Sequence, residues 1–253
     1  MPSAIEFLGK EIPIYGLCYL LGIFISVFVG SLICYRKKMP KYEMVYSAVF
    51  TAVGGLIGAK LLFVLINLKY VIQNDISFEA LLKGGFVFYG GFIGGILGLL
   101  LYCKCFKEKF WNYAAIYATV VPLGHAIGRV GCLFAGCCYG MPYDGPFAVT
   151  YTHTAGDTPL NTPLLPVQGV EAALLIILFI VMLIIYFKCN SAVTLVSTYF
   201  ISYSVMRFVL EYFRYDAQRG GLWFFSTSQI ISIAIFVITI TLLIISKLKA
   251  KKT

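Results

Sequence analysis

The sequence contains little charge: only 12% of its 253 residues are charged, 11 are acidic and 2 are histidine. Hydrophobic residues make up 60% of the chain, and the mean hydropathy is +0.89. A soluble enzyme of this composition would expose large apolar patches, and a disordered chain or a fibrous repeat needs a different composition. A membrane β-barrel would show short alternating segments rather than long apolar runs. The sequence therefore predicts an all-α polytopic membrane protein.

Seven apolar runs are long enough to cross a hydrocarbon core of about 30 Å as helices. They cover residues 13–35, 45–67, 85–103, 111–129, 166–187, 193–213 and 224–246. The N-terminal residues lack the basic region and cleavage site of a signal peptide, so we expect the first run to remain a helix. Neither a repeat period nor an inverted symmetry is visible, which argues against a secondary transporter.

The placement of the positive charge predicts the topology. The net charge is +9, and Lys and Arg concentrate in the segments 36–41, 104–109, 188 and 247–252. By the positive-inside rule these segments are cytoplasmic, which puts the N-terminus outside and the C-terminus inside. No basic helix with interleaved aromatic residues is present, so we expect no nucleic-acid partner. We expect one membrane-embedded domain over residues 1–253, with an outer arm at 68–84 and a small outer head at 130–165. PFAVTYTH, residues 146–153, is a candidate strand in that head.

Ionisable residues inside apolar runs are costly and point to function. They are Lys60, His125, Arg129, Glu171, Arg207 and Glu211. Arg207 and Glu211 share one helix face, as do His125 and Arg129, and Arg214 continues the face of Arg207. Several arginines near the outer ends of their spans would bind a phosphate well, because guanidinium groups match phosphate oxygens. The alternative is a set of buried Arg–Glu pairs that only fix helix packing.

Two further ionisable residues have open roles. His125 is a candidate general acid or base, and the alternative is a histidine held in one tautomer by a backbone carbonyl. Lys60 lies in the middle of a span, and we assign no role to it.

The stretch HAIGRVGCLFAGCCYG, residues 125–140, combines glycines with three cysteines. The glycines predict a break in the helix and an approach of backbone N–H groups to a ligand. Cys132, Cys137 and Cys138 allow three interpretations: small packing residues, a disulfide that includes Cys132, or metal ligands together with His125 or His153. The spacing matches no recognised zinc pattern, so the sequence gives no support for a metal.

Residues 128–140, GRVGCLFAGCCYG, resemble the signature of the prolipoprotein diacylglyceryl transferase family. Further similar segments are IPIYGLCYLLG at 12–22, FVFYGGFIGG at 86–95, PVQGVEA at 166–172, MRFVLEYFRYDAQ at 206–218 and STSQIISI at 226–233. The resemblance covers nearly the whole chain, and the order and spacing of the segments agree with it. It implies a seven-span enzyme of the bacterial cytoplasmic membrane whose active site faces the outer leaflet.

The resemblance also implies an activity and residue roles. The family transfers the diacylglyceryl group of phosphatidylglycerol to the lipobox cysteine of a prelipoprotein signal peptide and releases glycerol phosphate. Arg129 and Arg207 would hold the lipid phosphate, Glu211 would support Arg207, and Tyr89 and His125 are the candidates for proton transfer. Other positions implied to bind substrate are Tyr15, Gly90, Gly91, Gly128, Gly140, Gln168, Glu171, Arg214 and Gln229. We expect no cofactor.

Five positions depart from the family pattern. Tyr89 and Leu165 stand where the family has histidine, Cys132 and Ala135 stand where it has asparagine, and Cys137 replaces a glutamate. Tyrosine is a poor base at neutral pH because its ordinary pKa is about 10. Two alternatives to lipoprotein modification therefore stay open: transfer from the same lipid to another acceptor, and lipid binding without catalysis.

Overall fold

The computed structural model describes residues 4–7, 10–40, 42–73, 85–154, 158–189, 191–215, 221–222 and 224–250. Seven long helices dominate this part of the chain. They are α1 (Ile14–Arg36), α2 (Glu43–Gln73), α3 (Phe88–Phe106), α4 (Phe110–Ala135), α5 (Val167–Lys188), α6 (Ala192–Glu211) and α7 (Thr227–Ala250). All seven are long and apolar enough to cross a membrane. The protein is an all-α polytopic membrane protein, as the sequence predicts.

Each predicted span corresponds to one helix, but α4 corrects the predicted break in the glycine-rich stretch. The helix continues through Gly128 and Gly131 to Ala135, and the chain leaves it only at Gly136, with φ of +74°. Gly131 serves packing: a Cβ there would lie 2.8 Å from the Cβ of Cys18 on α1. The predicted break in residues 125–140 therefore begins only at Gly136, and the backbone N–H groups before it belong to the helix.

Three short pairs of antiparallel strands accompany the helices in the described part of the chain. They pair β1 (Ala4–Phe7) with β2 (Lys10–Pro13), β3 (Val149–Thr150) with β4 (Pro163–Leu164), and β5 (Gly221–Leu222) with β6 (Phe225–Ser226). Strand β3 confirms the predicted strand in 146–153, although only two residues pair. Tyr139, Tyr151 and Leu164 form a small buried core there. The irregular segment between α4 and α5 therefore has packing of its own.

The chain divides into two compact units. The unit of residues 30–113 contains α2 and α3, whose glycines allow their backbones to touch. Gly58 of α2 abuts Gly90 and Gly94 of α3 so closely that no Cβ fits at these positions. Close approach through small residues is the usual way that membrane helices pack. In the same unit, Lys60 donates a hydrogen bond to the carbonyl of Gly85 (3.4 Å) and lies 4.7 Å from the ring of Phe86.

The second unit combines residues 1–29 with 114–253. Helix α1 crosses α4 where a Cβ on Gly22 would lie 2.7 Å from the carbonyl oxygen of Gly124. Ser26 donates a hydrogen bond to the carbonyl of Val120 (3.3 Å) beside this crossing. Helix α6 packs against α5 and more extensively against α7. This unit contains every candidate site residue except Tyr89, Gly90 and Gly91.

The predicted outer arm, residues 68–84, is described only up to residue 73, where it continues α2 as helix. Residues 74–84 lie outside the described residues. The assignment of one domain to the whole chain, the outer position of the arm and the outer position of the head at 130–165 stay predictions.

Candidate active site

A buried ion pair joins α4 to α5. Arg129 Nε lies 3.0 Å from Glu171 Oε1, and the Glu171 side chain is 1% exposed. His125 Nε2, one turn before Arg129, lies 3.9 Å from the same oxygen. Neither atom of the Arg129–Glu171 contact has a hydrogen-bond partner among the described residues, so charge holds the pair. A buried carboxylate needs an opposite charge nearby. The Glu171 carboxylate therefore holds the Arg129 guanidinium between α4 and α5.

A second ion pair lies within α6. Arg207 Nη2 is 2.6 Å from Glu211 Oε2, four residues later on the same face. The same nitrogen donates a hydrogen bond to Ser228 Oγ at 3.1 Å, and Ser226 Oγ donates one to Glu211 Oε1 at 2.8 Å. Both serines belong to the junction of β6 and α7. The guanidinium of Arg207 is therefore held in one orientation by α6 and by the first turn of α7.

The start of α7 is a capping box. Ser226 Oγ accepts from the backbone N–H of Gln229 (3.2 Å), and Gln229 Oε1 accepts from the backbone N–H of Ser226 (3.0 Å). This reciprocal pair satisfies two backbone donors that a helix start leaves without partners. Because Ser226 also donates a hydrogen bond to Glu211, the helix cap and the Arg207–Glu211 ion pair form one network.

His125 and Tyr203 connect the two ion pairs. Their rings lie 5.5 Å apart, and Tyr203 stacks in turn on Tyr199 at 6.0 Å. Both His125 and Tyr203 lie within electrostatic range of the guanidinium groups of Arg129 and Arg207. The two arginines therefore converge on one region lined by a histidine and a tyrosine.

Several buried polar atoms in this region have no hydrogen-bond partner among the described residues. The donors are Arg207 Nη1 and Arg129 Nε, and the acceptors are Glu171 Oε1 and Gln168 Oε1. The hydroxyl of Ser204 belongs to the same group. Leaving a buried polar group unpaired costs about 1–3 kcal/mol, and more when the group is charged. An anionic oxygen bound at Arg207 Nη1 would remove this cost.

Arg214 and Gly140 meet where the chain after α4 passes the end of α6. They form a backbone bridge, flanked by hydrogen bonds from the Met141 N–H to the Phe213 carbonyl (3.0 Å) and from the Tyr215 N–H to the Tyr139 carbonyl (3.1 Å). A Cβ at Gly140 would collide with the backbone of Leu165 and lie 2.6 Å from a methyl of Val167. Glycine is thus required there by backbone contact, and the contact places Arg214 beside the end of α4.

The three cysteines of the signature region lie together beside Arg214. All their sulfur atoms are within 4.8 Å of one another, and all have free thiols. Cys137 donates a weak hydrogen bond to the Cys132 carbonyl (3.9 Å), while Gln168 Nε2 donates to the Cys137 carbonyl (2.7 Å). Hydrogen bonds from the thiols of Cys132 and Cys137, together with the positive charge of Arg214, lower the pKa of Cys138. Hydrogen bonds of the Cys137 thiol to Cys132 and Cys138 raise the pKa of Cys137.

A sequence profile described as prolipoprotein diacylglyceryl transferase matches residues 2–245. The chain belongs to this family.

Individual relatives match over nearly their whole length. A phosphatidylglycerol–prolipoprotein diacylglyceryl transferase of Clostridium tetani is 33% identical over 242 residues, which are 94% of this chain and 95% of the relative. A phosphatidylglycerol–prolipoprotein diacylglyceryl transferase 2 of Clostridium perfringens is 32% identical over 250 residues, 98% of this chain and 96% of the relative. A phosphatidylglycerol–prolipoprotein diacylglyceryl transferase of Francisella tularensis subsp. novicida is 30% identical over 261 residues, which are 99% of this chain and 95% of the relative.

The remaining residues implied by the family resemblance lie in different surroundings. In the unit that contains the arginines, Tyr15 is 45% exposed at the start of α1, and no atom lies within 4 Å of a Cβ built on Gly128. Open space above Gly128 leaves room for a ligand one residue from Arg129.

The other unit contains three of the implied residues in the first turns of α3, namely Tyr89, Gly90 and Gly91. A Cβ on Gly91 would meet Ala59 at 3.4 Å, so these glycines pack α3 on α2. Their part in the site stays a prediction.

Sequence reasoning missed Ser226, Ser228 and Tyr203. The pattern Ser226-Thr227-Ser228-Gln229 before an apolar run is a recognisable capping box, and it would have placed the first serine at the start of α7. Tyr203 carries no comparable signal, because a tyrosine in an apolar helix has many packing roles. Gln229 is buried, and its Oε1 accepts a hydrogen bond from the backbone N–H of Ser226. Its expected contact with substrate stays a prediction.

Proposed function

We propose that this protein transfers the diacylglyceryl group of phosphatidylglycerol to the lipobox cysteine of prolipoproteins and releases glycerol phosphate. It is a membrane transferase of a family whose relatives carry the same donor and acceptor in their names. One observation supports the mechanism above others. The side chains of Arg129 and Arg207 are only 13% and 11% exposed, and each is held by its own glutamate. Arg207 also keeps one donor free of hydrogen bonds among the described residues.

The formal charges suit a phosphodiester. Glu171 and Glu211 balance Arg129 and Arg207, so the two pairs carry no net charge, and Arg214 adds a positive one. Phosphatidylglycerol carries one negative charge on its phosphate. Guanidinium groups bind phosphate oxygens through parallel hydrogen bonds, which a lysine ammonium cannot reproduce. The site therefore favours an anionic headgroup over a zwitterionic one.

The reaction is a displacement at the glycerol carbon that carries the phosphate. The thiolate sulfur forms an S–C bond to that carbon of the diacylglyceryl group. The C–O bond to the phosphate breaks, and its electron pair leaves with glycerol phosphate. Negative charge grows on the departing phosphate oxygens, where Arg207 Nη1 and Arg129 would stabilise it more in the transition state than in the bound lipid.

The thiol proton must leave before or during the attack. His125 is one candidate to accept this proton, because its Nε2 lies 3.9 Å from the Glu171 carboxylate. Tyr89 is the other candidate, by its family position. A tyrosine is a weak base. If Tyr89 has this role, the lipobox cysteine would have to reach the site largely as a thiolate.

We place the protein in the bacterial cytoplasmic membrane with its active site towards the outer leaflet. The basic segments support this orientation through the positive-inside rule, and seven spans agree with termini on opposite sides. Prolipoproteins and phosphatidylglycerol would then meet the arginines from the outer half of the membrane.

The test compares Arg207→Lys, Arg129→Ala and the control Arg36→Lys, whose exposed arginine ends α1. Each purified protein receives labelled phosphatidylglycerol and a lipobox peptide, and the thioether product is quantified. Loss of one oriented anion donor lowers turnover by about 100- to 1,000-fold, so both site variants should fall at least that far. Arg36→Lys should retain wild-type turnover. Full activity of Arg207→Lys would contradict the bidentate phosphate clamp.

A further inference from the structure

The sulfur atoms of Cys132, Cys137 and Cys138 form a compact cluster. Cys132 lies in the last turn of α4, and the other two follow the end of that helix. Each sulfur lies within 4.8 Å of the other two. Cys132 is 8% exposed, and the others are partly buried. Such a triangle needs the chain to fold back immediately after α4.

The fold-back is built into the backbone. Gly136 and Cys138 both have positive φ values, +74° and +59°. The left-handed region is disfavoured for any residue with a Cβ, so Cys138 adopts it only because its surroundings require it. Thr158 donates a hydrogen bond to the Gly136 carbonyl, and Gln168 donates one to the Cys137 carbonyl. The thiols are therefore brought together by contacts from separate parts of the chain.

The triangle fits a metal ion better than a disulfide. Three thiolates bound about 2.3 Å from a zinc ion lie about 4 Å from one another, which is within the observed limit. A disulfide joins only two sulfurs and would leave the third alone. The adjacent pair is also poorly placed for a bond, because neighbouring Cα atoms are about 3.8 Å apart and disulfides prefer 4.4–6.8 Å.

The surrounding charges also suit bound thiolates. Three thiolates around a divalent cation carry one net negative charge. Arg214 hydrogen-bonds Cys138, and Arg129 lies within electrostatic range of Cys132 and Cys138. These guanidinium groups would offset the excess charge. Thiolate ligands select zinc and copper(I) over hard cations such as magnesium.

We propose that Cys132, Cys137 and Cys138 bind one thiophilic cation, with zinc as the first candidate. Binding forms three S–metal bonds and releases three thiol protons without any oxidation or reduction. The ion would tie the end of α4 to the segment that leads to Gly140 and Arg214. The test of this metal site measures metal content rather than turnover, so its failure can be distinguished from a failure of the proposed transfer reaction.

The experiment measures zinc in the full-length protein purified under reducing conditions, then after zinc addition and removal of excess ion. We expect about one zinc per chain, and cobalt(II) in its place should give thiolate charge-transfer absorption. Cys132→Ser and Cys138→Ser should each lose the metal. The control Cys105→Ser changes an exposed cysteine near the end of α3 and should retain it.

A second measurement does not depend on the folding of any variant. Bound zinc should protect the three thiols of the wild-type protein from alkylation, and a chelator should abolish this protection. Zinc content no higher than in Cys132→Ser, or equal alkylation with and without zinc, would overturn the proposal. So would a peptide mass showing that Cys132 is joined to Cys137 or Cys138 by a disulfide in protein purified without reductant.

Discussion

Replacement of Glu171 by glutamine tests how the Arg129 guanidinium is held. The substitution keeps the size of the side chain but removes its negative charge. At 3.0 Å, and with an effective dielectric constant of about 20, the lost Coulomb attraction is roughly 5 kcal/mol. Removing one partner of a buried ion pair typically destabilises a protein by about 3–5 kcal/mol, because the other charge stays buried without compensation. We therefore expect Glu171→Gln to lose about 3–5 kcal/mol of stability.

The assay is thermal unfolding in detergent. For a chain of this size, 1 kcal/mol shifts Tm by about 2–4 °C, so Glu171→Gln should unfold roughly 10 °C below wild type. The control Asp144→Asn removes an exposed carboxylate from the segment between α4 and α5 and should leave Tm nearly unchanged.

Lipid addition distinguishes the proposed site from a purely structural pair. An anionic phosphate can replace the missing carboxylate beside Arg129, so phosphatidylglycerol should raise the Tm of Glu171→Gln more than that of wild type. Phosphatidylcholine, whose headgroup is zwitterionic, should not reproduce this difference. A variant as stable as Asp144→Asn would refute the reasoning about burial. Equal effects of the two lipids would refute the preference of the site for a headgroup with net negative charge.

Three further substitutions follow from the same contacts. Gly140→Ala should destabilise the bridge to Arg214, because the new methyl group collides with backbone; a wild-type Tm for this variant would contradict the packing. Ser226→Ala should lower the free energy of unfolding by about 1 kcal/mol, because α7 loses its helix cap. It should also lower the transfer rate, because Glu211 loses a hydrogen bond. Unchanged turnover would show that the cap does not support the Arg207–Glu211 pair. Tyr89→Phe should slow transfer if its hydroxyl moves the proton, and wild-type turnover would leave His125 as the candidate.

The sequence predicted the helices well because apolar length alone decides them. The first span was predicted at 13–35 and is observed as Ile14–Arg36, and the fifth was predicted at 166–187 and is observed as Val167–Lys188. The end of α4 was misplaced because glycine has two opposite uses. In water it weakens helices, but between membrane helices it permits close contact, as at Gly131.

The arginines of the site could be predicted because charged residues are rare inside apolar runs. Arg129 and Arg207 stood out for that reason, and the spacing of Arg207 and Glu211 predicted the pair that the structure contains. The partner of Arg129 could not be assigned, because Glu171 lies on a different helix and only the fold brings them together. The same limit applied to the cysteines, whose sequence spacing left three interpretations open.

The central claim is that the arginine pairs hold phosphatidylglycerol while a thiol displaces its phosphate. The most direct test incubates the purified protein with a lipobox peptide and phosphatidylglycerol labelled in its acyl chains or in its headgroup glycerol. The account predicts that acyl label appears in a peptide thioether while an equal amount of headgroup label is released as glycerol phosphate, and that Arg129→Ala abolishes both. Folded wild-type protein that binds the lipid but leaves both labels in place would contradict it.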